Sequence, residues 1–229
     1  MRSSKARGSL ILFVCLLFVA VITVGSFTQT ASANAYEQID LTISEIDRQI
    51  NASLNFDEMY YVNGLPLALS SNPYDYVFNN SEYDKLVAIG PDAIEAIEEG
   101  LRNPDKYASL DRYILAIAME DIVKIDLKRV RTYEWQDADT FLSSWSNLKE
   151  AVKTEIPQII GDKSLSEDEK WKEISKFGIL SIDPLKEIQQ QMASTNSTAR
   201  VNAEKDFITD VVDFLSTASR DTVVEKAIS

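Results

Sequence analysis

The chain has 229 residues, with 36 acidic and 23 basic side chains, a formal net charge of −13, no histidine and one cysteine, Cys15. Without imidazole and with a single thiol it cannot build a Ser-His-Asp triad, a Cys-His pair, a Cys/His zinc site or an internal disulfide. Its acidic balance repels nucleic acid and anionic membrane surfaces.

Residues 1–33 read as a cleavable signal peptide. Arg2, Lys5 and Arg7 form a basic start, Leu10–Val24 is an apolar run, and Ala31-Ser32-Ala33 supplies a small-residue cleavage site, a cut after Ala35 being the alternative. The run is shorter than the ~20 residues of a spanning helix, which favours cleavage and no membrane insertion of the mature chain. Cys15 follows Val14 in mid-run, where a lipoprotein motif would need a small residue. The expected product is a secreted or extracytoplasmic domain of residues 34–229. The removed segment holds three basic and no acidic side chains, so the mature charge is −16.

The first mature helix is expected at Glu37–Leu54, with Ile39, Ile43, Ile46, Ile50 and Leu54 on one face. A long loop follows at about 55–80, broken by Asn63-Gly64-Leu65-Pro66 and Asn72-Pro73. Connections of that length are functional or disordered in compact domains. Its many apolar and aromatic residues, among them Tyr60, Tyr61, Leu67, Tyr74 and Tyr76, predict a loop packed on the body.

Tyr83–Gly100 is expected to form a helix, a glycine break and a second helix, with Ser81 as the cap. Leu110–Asp126 is apolar around most of its circumference and should be the most buried helix. Glu120 and Asp121 interrupt it. They are the best candidates for acid–base carboxylates, with pairing of Glu120 to Lys124 one turn on as the structural alternative. Adjacent helical residues point about 100° apart, which argues against a facing catalytic pair.

Residues 127–136 form a basic, aromatic connector holding Lys128, Arg129, Arg131, Tyr133 and Trp135. Asp137 is a candidate cap for a helix to about Val152, ended by Pro157 and Gly161-Asp162. Ser166 and Glu169 have capping-box spacing. The acidic stretch Gly161–Glu169 lacks the sixth-position glycine of a calcium loop, and no glycine-rich phosphate motif exists, so no cofactor or metal is implied. Gln189–Asn202 reads as a linker and Ala203–Thr217 as a closing helix. Asn51, Asn79 and Asn196 head glycosylation sequons, relevant only to a eukaryotic secretory route.

One internal echo organises the chain. Aligned without a gap, Tyr83–Gly100 and Trp171–Ile188 match Tyr83 with Trp171, Leu86 with Ile174, Ile89 with Phe177, Gly90 with Gly178, Ala93 with Ser181, Ile94 with Ile182 and Ile97 with Leu185. The pattern resembles the helical hairpin of HEAT repeats, and the offset of 88 is about two periods of that class. The intervening period departs from it, with Glu134 and Asp137 where the glycine and small residue would stand. The resemblance implies an all-α stack of irregular antiparallel hairpins acting as a scaffold or binding surface.

A protein or peptide partner is therefore the leading expectation. The contact residues would be Lys128, Arg129, Arg131, Tyr133 and Trp135 of the connector, with Tyr60 and Tyr61 of the loop. A carboxylate-based glycan binder or glycan-cleaving envelope protein is the alternative: the binder requires Trp135 or Trp171 to lie flat and exposed with carboxylates beside it, and the enzyme two carboxylates facing each other across a cleft.

Overall fold

The computed structural model describes residues 34–54, 61–62, 64–130, 135–193 and 199–229; the signal-like segment lies outside them. Ten helices carry the described fold: α1 (34–54), α2 (Ser81–Ile89), α3 (Ile94–Leu101), α4 (Ser109–Val123), α5 (Leu127–Val130), α6 (Ala138–Gly161), α7 (Glu167–Ser175), α8 (Ile182–Ala193), α9 (Ala199–Thr217) and α10 (Arg220–Ile228). The extended exception is a minimal antiparallel hairpin, β1 (Tyr61–Val62) with β2 (Leu65–Pro66), in which Tyr61 stands opposite Pro66. The all-α expectation holds.

The centre of the fold is α4. Its residues from Ile114 to Glu120 are all buried, as are Ile122 and Val123, so nearly every face of this helix meets protein. The apolar composition of the helix requires this. Helices α2 and α3 lie along it, and α6 contacts α3, α4, α7 and α8. Further along the chain α8 packs on α9 and α7 on α10.

The two echoing segments adopt the same local structure. Gly90 at φ +72° caps the end of α2, whereas Gly178 at φ +53° lies two residues past Lys176, the cap of α7; both take the positive φ that favours glycine. Each then opens a single 3-10 turn, Gly90–Ala93 or Gly178–Ser181, leading into the next helix. Ala93 and Ser181 are fully buried at the ends of these turns. The main packing partners of these helices are not each other but α4, α6, α9 and α10.

The helix ends follow their local signals in part. Ser166 and Glu169 form the expected capping box, and Asp137 accepts from the Thr140 N–H at 2.8 Å. The cap of α2, however, is Asn80 and not Ser81: its Oδ1 accepts from the Glu82 and Tyr83 N–H groups, both at 3.1 Å. Helix α6 runs through Pro157 to Gly161 rather than ending near Val152. Buried Val152, Ile156 and Ile160 continue its stripe past the proline, and their packing outweighs one lost backbone bond. The closing element is also longer than expected, since α10 follows α9.

The loop packs as expected only in part. Leu67 and Tyr76 are buried, the Ala68 N–H donates to Ser53 Oγ at 3.0 Å and the Tyr76 hydroxyl donates to the Ser70 carbonyl at 2.7 Å. Leu65, Leu69, Tyr74 and Phe78 remain exposed.

Candidate binding surface at the C-terminal end of α4

The carboxylates singled out on α4 lie in a charge cluster assembled from distant parts of the chain. Glu120 is buried, and accepts from the Leu127 N–H at 2.8 Å and the Trp135 indole N–H at 3.2 Å. Arg220, at the start of α10, lies 2.9 Å from Asp121 and 3.6 Å from Glu120, reaches Asp126 at 3.8 Å, and donates to the Ile125 carbonyl at 2.8 Å. The Tyr83 hydroxyl donates to the second oxygen of Asp121.

The expected pairing of Glu120 with Lys124 does not occur. Lys124 sits at φ +60° in the left-handed cap of α4, and its Nζ donates to the Leu215 and Ser216 carbonyls at the end of α9. Lys124 instead neutralises orphan carbonyls at a helix C-terminus.

Burial dominates the electrostatics here. It pushes Glu120 up to about 7, against the downward pull of the Leu127 N–H, Arg220 and Trp135. Asp121 is raised for the same reason, opposed by Tyr83 and Arg220. Both carboxylates are committed to the same guanidinium, so they do not face each other across a cleft.

Two of the expected contact regions meet above this cluster. Pro73–Tyr76 packs on α4; Tyr74 is 38% exposed, and the partial burial of its phenol, followed by the neighbouring Glu120 and Tyr113, pushes it up to about 12. From the other side Lys128 Nζ lies 3.9 Å from the Trp135 ring centroid and donates to the Tyr113 hydroxyl at 2.9 Å. Tyr113 thus joins the connector to α4, a residue whose role the sequence hides because it looks like one more aromatic of an apolar helix.

Trp135 itself is 1% exposed and so is no contact residue. Its indole packs against Tyr113 and Phe141, with centroids 4.6 and 5.2 Å away, and its N–H serves Glu120; a buried carboxylate needs that donor more than a partner would. Lys128 and Arg129 are exposed. Tyr60, Arg131 and Tyr133 lie outside the described residues, and Tyr61 is described only as backbone of β1.

Neither of the two tryptophans named for glycan contact lies flat and exposed. Trp135 is buried, and Trp171 is half-buried with Phe207 and Phe214 packed against it at steep angles. Among the described residues no cluster of three or more acidic side chains could hold a metal ion, and no helix is long and apolar enough to cross a membrane.

The sequence reading also missed Arg220, although Ser219 and Thr222 followed by Val223, Val224 and Ala227 signal one more capped helix. Comparison with family models, curated proteins and solved structures returns no match.

Proposed function

We propose that the mature chain is an exported helical scaffold that binds a protein or peptide partner along Leu65–Phe78, beside Lys128 and Arg129. One observation carries this reading. Of the seven large apolar side chains exposed among the described residues, four (Leu65, Leu69, Tyr74 and Phe78) fall within this single segment. Such a concentration marks an interaction site more often than chance exposure does. Buried Leu67 and Tyr76 anchor the segment, so the apolar side chains are held at the surface by fixed backbone.

Two further features support it. The helix–glycine–helix echo is similar to the HEAT pattern, whose members act as binding surfaces, an argument by analogy. Engagement of Glu120 and Asp121 by Arg220, Tyr83 and backbone favours binding over acid–base catalysis, and the signal-like residues 1–33 favour export.

The test is capture on immobilised residues 34–229 from the extracytoplasmic fraction of the source cells. A defined set of proteins retained by the wild type should be lost from the Leu69→Glu/Phe78→Glu variant, with its far-UV circular dichroism unchanged. Identical retention by the two would overturn the proposal.

A further inference from the structure

A groove of about 490 Å³ runs between α6 and α8, on elements not involved in the Leu65–Phe78 surface. Its wall on the α8 side is two parallel stripes. Leu180, Pro184 and Ile188 recur every four residues and are all half-buried, and Asp183 and Glu187, each one position before Pro184 and Ile188, are exposed alongside them. Residues four apart stack on one helical face, so the apolar stripe, which begins in the 3-10 turn before α8, runs for roughly 12 Å and the carboxylate pair beside it for roughly 6 Å.

The polar side of the groove has one sign of unmet demand. Among the described residues neither Asp183 nor Glu187 has an ion-pair partner, although like charges four apart on a helix repel. Lys153, the cation on the opposite wall, is taken by Glu150 at 2.9 Å. Pro157 stands on the same wall and has no N–H to add as a donor. An apolar floor edged by unpaired carboxylates suits a ligand with an apolar stripe and donor-bearing cations.

We infer that the groove between α6 and α8 docks a basic amphipathic helix of a partner protein, its apolar stripe on Leu180, Pro184 and Ile188 and its Lys or Arg side chains on Asp183 and Glu187. The mode is an amphipathic helix laid into an apolar groove. The carboxylates fix its register and exclude acidic competitors.

Fluorescence anisotropy with a labelled Leu/Lys amphipathic helical peptide tests this. A Leu/Glu peptide of the same pattern and a scrambled Leu/Lys peptide serve as comparisons. The chain's net negative charge would attract any cation, so the decisive contrast is between two charge-matched variants. Asp183→Lys/Glu187→Lys should weaken binding about tenfold or more. Asp206→Lys/Asp210→Lys, with the same spacing on an exposed face of α9, should leave it within about twofold. Equal weakening by the two variants, equal binding of the scrambled peptide, or no binding of the patterned one would each overturn the assignment.

Discussion

At the scale of single residues, Glu120 shows what was legible and what was not. Its place in an apolar helix announced a buried carboxylate, but the nearest cation in sequence, Lys124, is turned out of the helix by its left-handed backbone, and the true partner lies far along the chain on α10. No local spacing encodes such a pair. Its titration gives a prediction with a definite sign. Glu120 is raised from 4.5 to about 7, so folding favours its protonated form, and that contribution is complete below pH 4.5 and is lost as pH rises through 7. The difference is about 3 kcal/mol. Glu120→Gln cannot titrate but can still accept from Leu127 and Trp135. Between pH 5 and pH 8 the variant should therefore gain on the wild type, by up to about 3 kcal/mol in urea unfolding. If it loses ground instead, the Arg220 attraction outweighs burial and the reading of this cluster is wrong.

At the scale of elements, the echo between the two glycine-centred segments was readable because a helix stop and a small residue are local demands. What each turn docks against was not, and there the copies differ. A Cβ on Gly90 would meet nothing within 4 Å, whereas one on Gly178 would lie 2.0 Å from the Val123 carbonyl oxygen and 3.0 Å from that of Lys124. The second turn is pressed onto the end of α4, and only hydrogen fits. Gly90→Ala, at φ +72° and ψ −146° in a region essentially confined to glycine, should cost about 1–3 kcal/mol of backbone strain. Gly178→Ala adds a backbone clash to that strain and should cost upward of about 4 kcal/mol, the range reserved for broken core packing. Urea midpoints of the two variants give the comparison, and similar losses would mean that the contact at α4 yields without resistance. The same limit explains the connector. Trp135 looked like surface beside Lys128 and Arg129, yet Glu120 recruits its N–H inward, a tertiary demand invisible in composition.

At the scale of the whole molecule, the echoing segments do not stand as separate units. One apolar cluster takes in Ile39 of α1, Leu86 of α2, Ile117 of α4, Trp145 of α6, Leu185 of α8, Ile208 of α9 and Val223 of α10. The Arg220 cluster and the Gly178 contact bolt the C-terminal helices to α4, so opening either end exposes core belonging to the other. Free energy arranged this way makes unfolding all-or-none. The tryptophans are placed to test it, since Trp135 and Trp145 report on the surroundings of α4 and α6 while Trp171 reports on the packing of α7 against α9. Trp171→Phe leaves the first pair as probes, and Trp135→Phe/Trp145→Phe leaves the last. Because the substitutions alter stability themselves, fluorescence is compared with far-UV circular dichroism within each variant, where the two urea transitions should coincide. A Trp171 signal that moves at lower urea than the helical signal of its own variant would divide the molecule into two cooperative units and make the junction at Gly178 a boundary rather than a bolt.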